Sequence, residues 1–413
     1  MIIYTWKLCC RALNGVIWSF SLLNLCMVTS CIYPLYILNT RVNTILYTRL
    51  GKCKSNVLIY VSSFLTIDAK NDVFYMQRFV YHSIAIVCTL YFVFSEIHIV
   101  VRILLFLLSR FFLLNVNFDH IIGHETFIPL RYRKHGYKYD FMYFLILYVF
   151  PLLSLSGIPG SWPNQHTHMH HKENNSVNDL QTLVYFKRNS LWNAIWFAIG
   201  EVYNHHCRLF FWHLNSKSGR ALNVALCNVA FFSWSLFLFA LNFNMGLFVC
   251  VWQYGFMLLG ILFVEFSQHC LVDPSNPYDV HSNTVSILKP SVYVENNQVF
   301  EIKNSFVFYD NLHHEHSFDA NISFEKSIVL FLKRFNSGEY KNAMIFDMDN
   351  FVFLYAVIFS KFGLLTDSWV CRRKNEWSRN DIMNMIKKHV EPICSYHEIP
   401  WAKLPVWPTC MFE

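Results

Sequence analysis

Residues 221–266 read ALNVALCNVAFFSWSLFLFALNFNMGLFVCVWQYGFMLLGILFVEF, and this stretch decides the fold. It contains two apolar runs, Ala221–Leu241 and Met245–Phe266, separated by three residues, Asn242-Phe243-Asn244. A membrane helix uses about 20 apolar residues, so each run is long enough to cross a bilayer once. So short a link allows only a tight hairpin. The sequence therefore predicts two antiparallel membrane helices that return the chain to the side from which it started.

The composition supports the same class of protein. Hydrophobic residues make up 54% of the 413 residues and charged residues 15%, whereas an average soluble domain is about a quarter charged. The net charge of +7 comes from scattered Lys and Arg, which gives no case for nucleic-acid binding. The thirteen cysteines show no paired spacing typical of a zinc ribbon or a disulfide scaffold, so we interpret them as buried reduced thiols. We expect an integral, multi-pass membrane protein.

Further apolar segments lie on both sides of the hairpin. Gly15–Leu38 is predicted to be a first membrane helix, and Phe79–Leu114 is either one crossing with a long interfacial extension or two short ones. Phe141–Ile158 is interrupted by proline and glycine at its end, so we expect it to enter the bilayer only partly. Leu191–Tyr203 is too short to span and is expected to lie along the interface. Phe351–Leu365 suits an amphipathic or packed helix.

These segments divide the chain into three parts. Residues 1–118 are predicted to hold the N-terminal membrane helices, and residues 119–320 a core that includes the hairpin. Residues 321–413 turn polar and are predicted to form a C-terminal cytoplasmic tail.

Histidines cluster at the polar ends of the apolar segments. The chain has 19 histidines, and more than half of them fall in four places. These candidate metal ligands are His120 and His124, then His166, His168, His170 and His171, then His269, and finally His313, His314 and His316. Neutral imidazole is a common ligand for iron, copper and zinc. Four clusters at segment ends are hard to explain as solvated surface, so we predict a shared metal site.

A shared site requires the clusters to lie on one side of the membrane. Basic residues accompany the second cluster in the loops around it: Lys172, Lys187, Arg188, Arg208, Lys217 and Arg220. Lys and Arg are enriched in cytoplasmic loops, so the face that carries the histidines is expected to be cytoplasmic.

The order of these boxes resembles the membrane fatty acid desaturases. The matching features are the HxxxH pair His120/His124, a second box that ends in His170-His171, the hairpin, and a late box, Asp310-Asn311-Leu312-His313-His314-Glu315-His316-Ser317. The segment Gln268-His269-Cys270-Leu271-Val272-Asp273-Pro274 is similar to an additional histidine segment of a desaturase-like branch. The resemblance covers about residues 115–320. It implies an all-α integral membrane helical bundle with a cytoplasmic helical cap that carries a histidine-rich di-metal site.

The sequence departs from the family pattern at three positions. The usual second box would have a histidine at Thr167, so His166 and His168 compete for that role. Asp310 occupies the first histidine position of the late box, where its carboxylate could bind iron, and Ser317 replaces a proline. A shifted specificity and a site of reduced activity both remain open.

The resemblance implies an O₂-dependent oxidoreductase that desaturates or hydroxylates a fatty acyl or related lipid chain with two iron ions. No catalytic residue is implied beyond the metal ligands. Glu125, Glu173 and Glu315 stand next to the boxes and are candidates to orient imidazole N–H groups. No haem, flavin or iron–sulfur motif is present, so electrons would come from a separate carrier of the cytochrome b5 or ferredoxin type.

The expected location is a multi-pass position in the endoplasmic reticulum membrane if the source is eukaryotic. Two other interpretations remain open. One is a non-enzymatic membrane protein that binds or transports metal, and the other is a degenerate desaturase-like scaffold.

Overall fold

The computed structural model describes residues 73–113, 144–155, 157–160, 162–289, 292–295, 298–301, 312–319, 322, 324–340, 343–370 and 377–395. These residues are mostly helical, which confirms the all-α class at that level. The predicted first membrane helix and four candidate site residues, His120, His124, Glu125 and Asp310, lie outside the described residues.

The described segments before the hairpin are helical, and three of them are π-helical. In chain order they are α1 (Val73–Phe94), α2 (Ile99–Leu113), π1 (Leu145–Val149), α3 (Phe150–Ser154), π2 (Trp162–His170), α4 (His171–Glu173), α5 (Leu191–Tyr203), π3 (Asn204–Arg208) and α6 (Leu209–Asn215).

The hairpin and the segments after it complete the described fold. They are α7 (Ala221–Leu241), α8 (Phe243–Ile261), π4 (Leu262–Phe266), α9 (Ser267–His269), β1 (Val285–Ile287), β2 (Val292–Glu295), β3 (Gln298–Glu301), α10 (His313–Phe318), α11 (Phe324–Ser337), β4 (Met344–Phe346), α12 (Asn350–Ile358), α13 (Phe362–Ser368) and α14 (Arg379–His389).

The predicted hairpin is present as two long helices that pack against each other. Helices α7 and α8 meet at Asn242, and the turn is shorter than the three-residue link expected from the sequence. Near the turn the two helices come so close that a Cβ at Gly246 would lie 2.8 Å from the backbone carbon and oxygen of Leu238. Glycine at this position therefore allows the two backbones to approach each other.

The region Phe79–Leu114 contains two helices rather than one. Helix α1 ends at Phe94 and α2 begins at Ile99, with the polar residues Ser95 and Glu96 in the break. The guanidinium of Arg102 in α2 donates to the carbonyl oxygens of Phe92 and Val93. Those carbonyls lack partners inside α1 because they belong to its last turn. Arg102 thus ties the end of the first helix to the second.

Leu191–Tyr203 is helical with the bounds predicted from its apolar pattern, because Ser190 accepts a hydrogen bond from the amide of Asn193 and caps the helix. The helix then continues without a break through π3 and α6 to Asn215. Farther along, Phe351–Leu365 is interrupted by Lys361 between α12 and α13, and both helices pack into the core.

Four short strands, which the sequence did not predict, form two small sheets. Strand β1 pairs with β4 in parallel, with Val285 opposite Met344, and β2 pairs with β3 as an antiparallel hairpin. The β1–β4 pair joins residues on the two sides of position 320, where the sequence suggested a boundary between core and tail. The described C-terminal residues therefore pack on the core.

Two large hydrophobic clusters join the helices and strands into two layers. The first contains Phe92, Phe106, Phe231 and Leu238 and joins α1, α2 and the hairpin. The second surrounds Phe266, Phe346, Phe353 and Trp369 and joins the end of the hairpin to β1, β4 and the C-terminal helices. The candidate metal site lies where the hairpin ends, at the transition from the first layer to the second.

Among the described residues, Ala221–Leu241 is the helix that is long and apolar enough to cross a membrane. Tyr81–Phe94 and Ile99–Leu108 are shorter apolar helical stretches.

Candidate metal centre

The first of the histidine clusters that form the candidate site lies on the π-helix π2 (Trp162–His170). In π2, residues five apart lie on one face because its hydrogen bonds run from residue i to i+5. This winding aligns His166 with His171, whose Nε2 atoms are 3.1 Å apart, and leaves the rings of His166 and His170 stacked at 5.3 Å. An α-helix would place His166 and His170 on one face with His171 beside them.

Six histidine rings converge as two adjacent sets of three. Centre A consists of His166, His171 and His316, because Nε2 of His171 lies 3.1 Å from Nε2 of each of the other two rings. Centre B consists of His170, His269 and His313, with Nε2 of His269 3.2 Å from Nε2 of each of the other two. Unlike centre A, these three rings do not bring all their ligand atoms within 4.8 Å of one another. The two centres abut, since the rings of His313 and His316 are 5.1 Å apart.

A buried carboxylate lies between the two centres. Oε1 of Glu265 in π4 is 3.2 Å from Nδ1 of His166, and its Oε2 is 4.0 Å from Nε2 of His170. Ligand atoms of His166, His170 and Glu265 all lie within 4.8 Å of one another, as do those of centre A. The described structure therefore presents buried donor sets that could hold a metal ion.

The hydrogen bonds on the far side of two rings fix which nitrogen faces the centre as an acceptor. Nδ1 of His269 is 2.9 Å from the carbonyl oxygen of Asn283, which can only accept, so this nitrogen carries the proton. Nδ1 of His170 is 2.7 Å from Oδ2 of Asp179, a carboxylate acceptor. In a neutral ring with a protonated Nδ1, Nε2 presents a lone pair. Once His170 has lost its second proton, as metal binding requires, the lone pairs of His170 and His269 would face each other at centre B.

A metal ion satisfies such an arrangement better than a proton. One proton on His170 could bridge to His269, but Nε2 of His313 also approaches the same lone pair. With metal–nitrogen bonds of about 2.1 Å, neighbouring donor atoms lie about 3.0 Å apart in octahedral and about 3.4 Å apart in tetrahedral coordination. The observed separations of 3.1 and 3.2 Å fall between these values.

The charge environment of His170 is strongly negative. Burial alone would lower the pKa of His170, but the charge and hydrogen bond of Asp179 and the charge of Glu265 outweigh burial and raise the pKa to about 9. A site that holds a proton this firmly attracts positive charge, and a metal ion would replace that proton.

Two of the predicted histidines lie outside both centres. His168 is half-buried and shares neither set, because it is on another side of π2 from His166 and His171. His314 is buried, and its Nδ1 is 2.7 Å from Oγ of Ser286, while its ring contacts Tyr340. In the described geometry His166, and not His168, lies close to the other candidate ligands.

The described glutamates do not contact the rings that they were expected to orient. Glu173 lies 3.8 Å from Nζ of Lys172, and Glu315 accepts hydrogen bonds from Arg334 and Tyr340. The contacts that orient the rings come instead from Asp179, Glu265 and the carbonyl of Asn283.

Sequence reasoning missed Glu265 and Asp179. Glu265 had a readable signal, because it is an acidic residue inside the apolar run Met245–Phe266, and such residues are rare and functional in membrane segments. Asp179 had none, since it lies in a polar loop where its carboxylate also accepts from the amides of Asn175 and Gln181.

A third buried carboxyl group, that of Glu201, is hydrogen-bonded to π2. Glu201 in α5 accepts hydrogen bonds from the side chains of Gln165 and Asn204. Burial raises the pKa of Glu201 well above its usual range, and the nearby charges of Asp179 and Glu265 act in the same direction. The hydrogen bond of Glu201 to Gln165 fixes the residue next to His166.

No family model, curated protein or solved structure matches the chain.

Proposed function

We propose that the protein is a membrane di-iron oxidoreductase that uses O₂ to desaturate or hydroxylate a fatty acyl or related lipid chain. The observation that carries this proposal is the convergence of six imidazole Nε2 atoms as two adjacent sets of three, with the carboxylate of Glu265 between them. Two adjacent sets suit a pair of metal ions, and the sequence spacing of their members is the pattern that resembles the desaturases.

Iron fits the donor set, which combines neutral imidazole with a carboxylate and contains no thiolate. His166, His171 and His316 would hold one ion, and His170 and Glu265 would be among the donors to the other. A pair of irons would supply the two-electron activation of O₂ that removal of hydrogen from an unactivated methylene requires. Thirteen cysteines are present, yet none of those described belongs to either donor set.

The protein's own residues prepare the site before any reaction. Asp179 and the carbonyl of Asn283 hold the Nδ1 protons of His170 and His269, which turns both Nε2 atoms toward the centre. Burial of His166, His170, His269 and His313 keeps bulk water from the donor atoms. The apolar bundle next to the site would hold the acyl chain.

The exposed surface of the hairpin supports a membrane location. Helix α7 exposes Leu222, Leu226, Val229 and Leu236, the first of them at 69% of its surface. These large apolar side chains have no covering partner among the described residues, and lipid tails would cover them. The proposal places the histidine-bearing face toward the cytoplasm, in the endoplasmic reticulum membrane if the source is eukaryotic.

Electrons would come from a separate carrier, a cytochrome b5 or ferredoxin. The exposed ammonium groups of Lys172 and Lys187 lie on segments next to the donor sets and would favour an acidic carrier surface.

Metal analysis and lipid profiling together test the proposal. Protein purified in detergent is expected to contain about two irons per chain, and cells that express it are expected to gain a lipid with a new double bond or hydroxyl group. The variant H170A should lose both signals, whereas H168A, which removes a neighbouring imidazole outside both centres, should keep them. Stoichiometric zinc without iron uptake would overturn the proposal and favour the metal-binding or transport interpretation. Bound iron with an unchanged lipid profile would favour a degenerate scaffold.

A further inference from the structure

A second polar site lies behind the helix that carries His313 and His316. A cavity of about 440 Å³ opens between the loop 273–282, the end of α10, and the segments α11, β4 and α14, and none of the six histidines of the two centres lines it. Its size falls in the range of small-molecule pockets. Tyr340 and Arg334 in its wall hold Glu315 of α10, so the cavity is in direct contact with that helix.

The charged groups of the cavity are mostly acidic. Asp273, Asp279 and Glu339 line it, against one guanidinium, that of Arg334. Arg334 is already engaged, because its Nη1 donates to Glu315 at 2.9 Å and its Nε is 3.7 Å from Glu339. Asp273 and Asp279 contact only loop amides and hydroxyl groups among the described residues. The cavity therefore favours a positively charged ligand.

A buried imidazole adds an independent sign of a ligand. His389 lines the cavity with 7% of its surface exposed, and its Nδ1 has no hydrogen-bond partner in the described part of the chain. Burial lowers the pKa of His389 to about 4 despite the nearby charge of Asp273, so the ring is neutral at physiological pH. His281, across the cavity, also has a lowered pKa and a buried Nδ1 without a described partner. Neutral imidazole nitrogens accept hydrogen bonds from N–H donors.

The ligand is larger than a metal ion. No three ligand atoms from cavity residues come within 4.8 Å of one another in the described structure, so the carboxylates do not form a coordination sphere. Aromatic rings complete the lining, since Phe318 and Tyr340 border the space. Phe318 already holds one cation over its ring, the guanidinium of Arg334 at 4.7 Å. Separate carboxylates, imidazole acceptors and aromatic faces are the chemistry that recognises an organic cation.

We propose that this cavity binds an organic ammonium group that carries N–H donors, with Asp273 and Asp279 as its counter-charges and His389 as a hydrogen-bond acceptor. The inference does not depend on the proposed oxidoreductase activity. The same chemistry is offered by a soluble polyamine and by the amino headgroup of a phospholipid.

Calorimetric titration of the full-length protein in detergent with spermidine and with ethanolamine tests the site. Saturable binding is expected, with an affinity at least about tenfold lower in the double variant D273N/D279N, because both counter-charges of the ammonium group are removed. Asparagine still accepts from the loop amides of Ser275 and His281, so the loop should keep its conformation. The control D367N removes an exposed carboxylate that pairs with Arg379 outside the cavity, and it should bind like the unaltered protein.

Two further arms identify the source and the chemistry. Spermidine binding is then measured in two kinds of nanodisc, one of phosphatidylethanolamine and one of phosphatidylcholine. If spermidine binds only in phosphatidylcholine, the phosphatidylethanolamine headgroup occupies the site, and the site is assigned to a lipid headgroup. If spermidine binds equally in both nanodiscs, the site is assigned to a soluble amine. Tetramethylammonium, which has no N–H donor, should bind more weakly than ethanolamine. No saturable binding of either amine, or equal binding by D273N/D279N and D367N, would overturn the proposal whatever the metal content of the protein.

Discussion

At the scale of single residues, the candidate centre depends on groups that hold the far side of each ring. His170 could rotate or change tautomer if Nδ1 lacked its contact with Asp179, and Nε2 would then no longer present a lone pair to centre B. Groups of this kind commonly change metal affinity by about 10–100-fold when they are replaced. Asp179 is fully buried and also accepts two backbone amides, so its position is fixed by the loop itself.

The variant D179N is therefore expected to lower metal affinity by about 10–100-fold, because an amide in place of the carboxylate weakens the bond to the Nδ1 proton of His170. Competition with a metal chelator, followed by metal analysis, measures the change. The matched control is E173Q, since Glu173 lies beside His171 in sequence but contacts Lys172 and Ser176. Equal metal loss in D179N and E173Q would contradict the assignment of Asp179 as the positioning residue.

The sequence was informative about ligand identity and less so about ligand geometry. Clustered histidines at the ends of apolar segments indicated a metal site, and the structure brings His166, His170, His171, His269, His313 and His316 together. The choice between His166 and His168 depended on the winding of the helix, which residue spacing alone does not specify. The position of His314 outside both centres could not be predicted for a similar reason. Its contact with Ser286 arises from a strand that the sequence did not predict.

At the scale of elements, three of the donor residues, His166, His170 and Glu265, come from helices with irregular winding. Segment π2 carries His166 and His170, and π4 carries Glu265 and leads directly into His269. A π-helical turn inserts one extra residue per turn, which costs stability and is frequent at functional sites. Here it brings residues at i, i+4 and i+5 toward one point. The hairpin that delivers π4 must in turn be packed firmly enough to fix Glu265 and His269.

Two glycines of α8 allow the packing of the hairpin to be tested. A Cβ at Gly246 would lie 2.8 Å from the backbone of Leu238, whereas a Cβ at Gly260 would meet nothing within 4 Å. G246A is expected to destabilise the protein by about 1–3 kcal/mol, because two backbones would have to separate. G260A is expected to be neutral or stabilising by up to about 1 kcal/mol, because alanine favours the helix.

Thermal unfolding of both variants in the same detergent separates these effects, since each replaces a glycine by alanine in one helix. An equal loss of stability in G246A and G260A would indicate that helix propensity or detergent, rather than contact between α7 and α8, controls the result.

Hydrophobic patterning predicted the elements that are long and uniformly apolar. The hairpin and the helix that begins at Leu191 were predicted because their apolar composition indicates a helix, although the second hairpin helix begins two residues earlier than expected and the helix from Leu191 continues beyond Tyr203 to Asn215. The strands β1 and β4 were missed because each has three residues and is defined by pairing with a segment distant in sequence. Short elements of this kind depend on tertiary contacts, which a local pattern does not contain.

At the scale of the whole molecule, the described C-terminal region is part of the wall around the candidate centre. The guanidinium of Arg188 is fully buried and donates to the carbonyl oxygens of five residues: Leu183, Phe186, Cys270, His389 and Glu391. Cys270 follows His269, and His389 ends α14, so one side chain joins the loop after α4, the segment that carries His269 and the C-terminal helix. The charge pattern suggested a basic surface residue at this position, but five carbonyls make Arg188 an interior link.

Replacing Arg188 should therefore loosen distant parts of the chain together. R188M keeps most of the apolar stem but removes the guanidinium from five carbonyls, of which only those of Leu183 and His389 also accept from a backbone amide among the described residues. We expect a loss of about 3 kcal/mol or more in the free energy of unfolding. The matched control is K187M, which removes the neighbouring ammonium group. Lys187 is exposed and lies 3.5 Å from the side chain of Glu391, and a surface pair of this kind is worth about 0–1 kcal/mol.

Thermal unfolding and protease cleavage within residues 377–395 measure both effects. R188M should unfold at a lower temperature and be cleaved faster, and metal retention should fall with it because Cys270 adjoins His269. If R188M and K187M behaved alike, the C-terminal helix would be held by its apolar contacts alone, and Arg188 would have no role in joining it to the metal-binding segment.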